Sequence, residues 1–221
     1  MKVLPQLGCD VALLPTTMLG RHPGWGAPGG GAVSDDLFQG MSEGLAANDI
    51  PARCDGVITG YFASRDQVNR AADLIERDIK GRVPVIVDPV IGDDGKGLYV
   101  KQEVAVSIAD RLLPLADVIT PNAFELGWLK ARVGKEWFGV FDAYETSARE
   151  RGLIGIRGPS GAFAGREPID DLIVPNGVGD LATLLIARSR ISGETMMLEE
   201  VVACVGRQIE RSENGEICAL I

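Results

Sequence analysis

Residues 83–90, VPVIVDPV, form an almost unbroken apolar run that closes on Asp88-Pro89. A run of this kind is expected when a strand is buried on both faces, as in a parallel sheet covered by helices. The same strand-then-breaker pattern recurs in GVITGY (56–61) and ADVITPN (116–122). Helical signals lie between these runs. Ser34 caps a helix led by Asp35 and Asp36, with Leu37, Met41 and Leu45 on one face. Ser64 and Gln67 make a capping box, and the helix they open carries Val68, Ala72, Ile75 and Ile79 inward. A further helix is expected over 101–113, and Asn122 with Glu125 opens the next. Alternating strands and helices predict an α/β fold, a mostly parallel central sheet between two helical layers.

The remaining segments follow by the same signals. DVALLPT (10–16) reads as a short buried strand, and GLIGIRG (152–158) as another. GPSGAFAGREPIDD reads as loop. Residues 194–212 are amphipathic, with Leu198, Val201, Val202, Val205 and Ile209 on one face, and should pack on the sheet as a final helix. No internal repeat or linker divides the chain, so residues 1–221 are expected to form a single domain.

In open α/β sheets ligands sit beyond the carboxyl ends of the strands. Asp88, Asp93, Thr120, Asn122 and Glu125 all fall there. So does the turn Gly177-Val178-Gly179-Asp180 in IVPNGVGDLATLLIA (173–187), where an extended run meets helical spacing. A glycine turn opening a helix leaves unpaired N–H groups and the positive dipole end facing outward, which makes an anion site. Asp180 in that first turn is placed to accept a proton from a hydroxyl while the amides hold a phosphoryl group. Asp88, Asp93 and Glu125 are hard oxygen ligands suited to Mg2+ alongside phosphate oxygens. Each residue also has an ordinary reading: an acidic residue in a helix's first turn, a turn before proline, a solvated glycine loop, and a capping box between Asn122 and Glu125. Lys96, in DDGKG, is either an exposed lysine or a phosphate contact. RHPGWGAPGGG (21–31) is a glycine- and proline-rich loop holding His22 and Trp25, either a plain surface loop or a cover for a flat ligand.

Composition narrows the classes. A net charge of −9 argues against a nucleic-acid surface. Cys9, Cys54, Cys204 and Cys218 form no CxxC pair and read as reduced thiols, so the expected compartment is cytoplasmic. No apolar run reaches membrane-spanning length, and no GxxxxGK[ST], HRD or DFG signature is present. Phosphoryl transfer by positioning and charge neutralisation fits the acidic edge best.

VDPVIGDDGKGLYV, LLPLADVITPNAFEL and PNGVGDLATLL together resemble pyridoxal kinases of the ribokinase-like superfamily, most specifically over 50–130 and 173–190. The resemblance implies ATP-dependent phosphorylation of the 5′-hydroxyl of pyridoxal and related B6 vitamers by a homodimer, with Mg2+ and, as a further candidate cation, K+. It implies Asp180 as the catalytic base, and Gly177, Val178 and Gly179 as the anion hole. Asp88, Thr120, Asn122 and Glu125 would serve ATP, and Asp88, Asp93 and Glu125 the metal. His22, Pro23, Gly24, Trp25, Tyr61 and Asp180 would contact the vitamer. The family begins with a strand ending in serine, and it carries a longer segment between the positions of Glu125 and Gly177. The expected fold is therefore ribokinase-like but incomplete, lacking the first strand. Hydroxymethylpyrimidine kinases share a similar DPV and TPN pair but usually carry Cys at the position of Asp180. The alternatives are thus a kinase of that type or a non-catalytic remnant.

Overall fold

The computed structural model describes residues 3–21, 23, 26–134, 141–148, 154–165, 177–194 and 196–211. In chain order the elements are α1 (Val3–Gln6), β1 (Thr17–Leu19), β2 (Gly30–Ala32), α2 (Asp35–Ala47), α3 (Ile50–Arg53), β3 (Val57–Thr59), α4 (Arg65–Asp78), β4 (Val85–Val87), β5 (Gly92–Asp93), β6 (Gly97–Leu98), α5 (Gln102–Ser107), β7 (Val118–Ile119), α6 (Ala123–Val133), β8 (Asp142–Ala143), β9 (Glu145–Ala148), β10 (Ile154–Arg157), β11 (Phe163–Gly165), α7 (Val178–Ser192) and α8 (Leu198–Arg211). A π turn (Ile108–Leu112) and a 3-10 turn (Leu113–Leu115) continue α5.

Four strands pair in parallel in the order β3-β4-β7-β8. Beyond β8 the chain stays beside β7, with the Thr146 N–H donating to Pro121 O at 2.9 Å. β9 then pairs antiparallel with β10, and β10 with β11. Alternation along the central strands decides what each layer buries. Val85, Val87 and Ile119 face a core built with Phe38 of α2, Val68 and Ile75 of α4, Val104 of α5 and Leu129 of α6. Ile86 and Val118 face the opposite core, with Leu181 and Leu185 of α7, Val201 and Val205 of α8, and Ile156 of β10. Helices therefore cover both faces of a mostly parallel sheet, as the sequence predicts.

Four expectations are corrected. Residues 10–15 form no strand: Val11 and Leu13 are exposed, and the nearby pairing is an antiparallel β1–β2 hairpin. An apolar run without a strand partner has no ladder to join. The buried side of α2 centres on Phe38 and Met41, while Leu37 is 57% exposed. Residues 163–165 are not loop but β11, recruited by β10. The Ser64 hydroxyl does accept the Gln67 N–H at 3.1 Å, but the Gln67 side-chain oxygen takes the Ala63 N–H, one residue before the cap, and its nitrogen turns inward. The final helix packs as expected through Val201, Val202 and Val205. The run at 173–176 lies outside the described residues. Among the described residues β3 and β8 are the outer strands of the four-stranded sheet.

The two faces make a direct test. Ile86→Ala, fully buried, should lose about 2–5 kcal/mol of stability, whereas Leu37→Ala should stay within about 0.5 kcal/mol of the parent, both read from urea unfolding.

Candidate functional site

β4 and β7 are parallel neighbours, so the residues that leave their carboxyl ends, Asp88 and Thr120, stand side by side. The Asp88 N–H donates to Thr59 O of β3 at 3.0 Å, and the Thr120 N–H to Val87 O at 3.1 Å. α7 crosses this edge. Thr183 of α7 is buried, with its hydroxyl 3.0 Å from Asp88 Oδ2 and 2.8 Å from Thr120 Oγ1. A hydroxyl has one proton to give, so Thr183 donates to the carboxylate and accepts from Thr120.

Asp180 lies one helical turn before Thr183, on the same face of α7. Gly177 caps the helix with φ 90, a left-handed conformation that glycine adopts without strain. Gly179, by contrast, is helical, with open space where a side chain would be. The Leu181 N–H reaches back to Gly177 O at 3.0 Å, and the amides of Val178 and Gly179 stand ahead of that bond in the first turn. A ligand phosphate is the natural partner for such a terminus.

The edge is crowded with negative charge. Burial, then Asp180, then Glu125 push the Asp88 carboxyl well above the usual carboxylate range, against the Thr183 hydroxyl and the Val90 N–H, which favour its ionised form. Burial also raises Glu125, opposed by three backbone N–H groups. Its Oε1 accepts from Ile91 at 2.8 Å and Gly92 at 3.3 Å, and its Oε2 from Asn122 at 3.0 Å. Tyr99, half exposed, is pushed up by burial and by Glu125, Asp88, Asp93 and Asp180. One phenol thus feels all four carboxylates, although they come from three separate stretches of chain. Neither Tyr99 nor Thr183 was foreseen from sequence. Thr183 sits at i+3 from Asp180, a spacing that would have put it on the same helix face.

Asn122 and Glu125 form the expected capping box at the start of α6. Asn122 Nδ2 also donates to Gly92 O at 2.8 Å, and a Cβ on Gly92 would lie 2.3 Å from Phe124. Asn122 Oδ1 and Glu125 Oε2 are thus spent on the cap, and Asn122 Nδ2 and Glu125 Oε1 on docking the start of the β5–β6 hairpin against α6. Asp93 is exposed on that hairpin, where its Oδ1 accepts the Asp94 N–H, and Lys96 is exposed at its turn. The expected metal set is Asp88, Asp93 and Glu125. Among the described residues no three His, Cys, Asp or Glu side chains gather to hold an ion, because Glu125 is turned onto backbone amides and Asp93 projects on the hairpin. Asp88 is the half-buried carboxylate left at the edge. Mg2+ commonly uses only one or two carboxylates, with phosphate and water completing its shell, so the donor set fits a nucleotide-borne ion.

Tyr61 follows β3, 40% exposed, and its carbonyl accepts the Thr16 hydroxyl at 2.7 Å. Pro23 is exposed, while His22, Gly24 and Trp25 lie outside the described residues. A groove of about 530 Å3 opens at the opposite edge, near the amino ends of β4 and β7. Its charged side chains already have partners: Asp117 accepts the Val85 N–H at 2.8 Å, Arg190 pairs with Asp142, and Glu194 with Arg188.

Helices on both faces of a mostly parallel sheet, with the start of α7 and an acidic strand edge at its carboxyl end, match the ribokinase-like architecture. Sequence comparison agrees: the phosphomethylpyrimidine kinase family matches residues 44–146. The pyridoxal kinase PdxY of Deinococcus radiodurans is 32% identical over 158 residues, 71% of this chain and 52% of that protein. Human pyridoxal kinase is 28% identical over 204 residues, covering 90% of this chain and 62% of that protein. A pyridoxal kinase structure from Entamoeba histolytica with PLP superposes with a TM-score of 0.76 at 26% identity, covering 96% of this chain and 82% of that one. The Leishmania donovani enzyme in complex with ADP and pyridoxine gives 0.66 at 27% identity, covering 92% and 76%. The chain has a ribokinase-like fold, and its sequence is most similar to pyridoxal kinases among these comparisons. It spans about half the length of the bacterial relatives it matches, 45% of one and 52% of another.

The raised Asp88 carboxyl predicts a pH effect on stability. A group that binds its proton more tightly folded than unfolded stabilises most when protonated. That stability falls as pH rises from the ordinary carboxylate range to the raised value, then levels off. Asp88→Asn should therefore raise the melting temperature at neutral pH and flatten this slope, as measured by thermal unfolding across acidic to neutral buffers. Val90, the β-branched residue that donates to Asp88, has φ 45, a conformation that costs about 1–3 kcal/mol for such a side chain. Val90→Asn, which tolerates that conformation, should also melt higher.

Proposed function

We propose that this chain binds ATP at the carboxyl edge and phosphorylates the 5′-hydroxyl of pyridoxal, forming pyridoxal 5′-phosphate. The observation that carries the proposal is the Thr183 bridge from α7 to Asp88 and Thr120, which brings the start of α7 and the acidic strand ends to one place. In this reading Asp180 accepts the proton of the 5′-hydroxyl as its oxygen attacks the γ-phosphorus. The O–P bond to the vitamer forms as the β–γ bridging P–O bond breaks, and ADP leaves. The amides of Gly177, Val178 and Gly179 hold the migrating phosphoryl group, whose charge develops in front of the helix dipole. Asp88 would hold Mg2+, which neutralises phosphate charge when bound. Thr120 and Tyr99 flank the phosphates. Asn122 and Glu125 serve the nucleotide by fixing the β5–β6 hairpin, which carries Asp93 and Lys96, beside it.

Tyr61 and the loop at 22–25 supply the vitamer side of the same proposal, with His22, Gly24 and Trp25 assigned from the resemblance alone. The pyridoxine and ADP bound to the Leishmania relative support both ligand classes. A homodimer is supported by the exposed Val11, Leu13, Met18, Leu19 and Leu37, which cluster in the amino-terminal part of the sequence. A cytoplasmic setting is supported by free Cys9, Cys54 and Cys204, and no helix among the described residues is long and apolar enough to cross a membrane. K+ as an assisting cation belongs to the same reading. The phosphomethylpyrimidine kinase family match favours one alternative, a hydroxymethylpyrimidine substrate. The acidic residue at 180 weighs toward the vitamer.

A coupled assay with ATP and pyridoxal, pyridoxine or hydroxymethylpyrimidine tests the proposal. Pyridoxal turnover that falls by about 10²–10⁴ in Asp180→Asn, with ADP affinity unchanged, is the expected result. Preference for the pyrimidine, or folded protein without turnover of any of the three, overturns it.

A further inference from the structure

Gln67, in the first turn of α4, is fully buried, and all of its amide hydrogen bonds stay inside the protein. Nε2 donates to Val33 O at 2.8 Å and Thr16 O at 3.0 Å, and Oε1 accepts the Ala63 N–H at 2.9 Å. Thr16 and Val33 are the residues just outside β1 and β2, joined by a 3.0 Å bond from the Val33 N–H to Thr16 O. One side chain therefore grips both legs of the hairpin at its root. Two neighbours tighten the grip: the Thr16 hydroxyl donates to Tyr61 O at 2.7 Å, and the Ser64 hydroxyl donates to Asp35 Oδ1 at 2.6 Å.

The anchoring residues Tyr61, Ala63, Ser64 and Gln67 all lie on the segment leaving the carboxyl end of β3. β4 is the neighbouring strand, and Asp88 at its end donates its N–H to Thr59 of β3. The hairpin is thus rooted on the site's own edge. Above the root Met18, Leu19 and all of β2 are exposed, so its orientation is set from below. Filling core volume needs only an apolar side chain. A buried amide with two donors and an acceptor instead fixes direction, since leaving any of them unpaired costs the desolvation of that group.

We propose that Gln67 is a positioning residue: it fixes the β1–β2 hairpin against the carboxyl edge and thereby sets affinity for the vitamer without touching the reacting atoms. This rests on reading that edge as a vitamer kinase site. Gln67→Glu keeps the acceptor for Ala63 and turns an oxygen onto two carbonyls, while Gln67→Met keeps the volume and removes all three bonds. In the full chain, Gln67→Glu should raise KM for pyridoxal by about tenfold or more, with KM for ATP and kcat each within about threefold, the pattern of a misplaced binding element. Equal changes in both KM values, or none, overturn the proposal. Hydrogen exchange supplies a readout independent of turnover. In Gln67→Met the amides of 17–19 and 30–32 should exchange about tenfold faster while those of Ala71–Ile75 hold, a loss on the scale of buried hydrogen bonds. Unchanged hairpin exchange overturns the grip itself. Altered exchange in a chain whose parent turns over no vitamer overturns only the kinase reading.

Discussion

The Thr183 hydroxyl, shared between Asp88 and Thr120, joins parts of the chain that sequence keeps 63 and 95 residues apart. α7 packs its apolar side on the sheet through Leu181 and Leu185, which fixes the helix as a body but does not choose what its first turn faces. The hydrogen bonds of Thr183 tie that turn to the strand ends. Both partners are polar and at least half buried, so the pairing has little solvent competition. Without it, the helix start and the acidic edge would be separate features of an ordinary α/β sheet.

That convergence has a cost, which the structure meets with backbone. Burial, with Asp180 and Glu125 beside it, pushes the Asp88 carboxyl upward, and burial, with Asp93 nearby, does the same to Glu125. Successive amides at 90, 91 and 92 divide between the two carboxylates, Val90 serving Asp88 and Ile91 with Gly92 serving Glu125. The left-handed backbone at Val90 marks the switch from one to the other. An edge that stores like charges and a strained residue is less stable than it needs to be for folding alone, and a bound cation and polyphosphate would relieve the charge.

The sheet and its helical layers were legible because their signals are local. Val85–Val87 and Val118–Ile119 read as buried strands, and Ser34, Ser64 and Asn122 cap helices where expected. What failed was pairing and direction. DVALLPT has strand composition but no partner, and FAG (163–165) became a strand only because β10 lies beside it. At the site, the residue types at the strand ends marked the edge, but not which oxygens remain available. Glu125 is locally both a capping residue and a metal ligand in waiting. The Ile91 and Gly92 amides that decide against the latter are more than thirty residues away. Gln67 shows the same limit, since its partners at Thr16 and Val33 lie 51 and 34 residues off.

The convergence can be observed without turnover. Titrating the protein with ADP and Mn2+, a paramagnetic stand-in for Mg2+, broadens the amide resonances of residues near the ion. The account predicts that Val90, Thr120 and Val178–Asp180 broaden together and saturably with one dissociation constant. Broadening confined to the strand ends, with the start of α7 untouched, would contradict it.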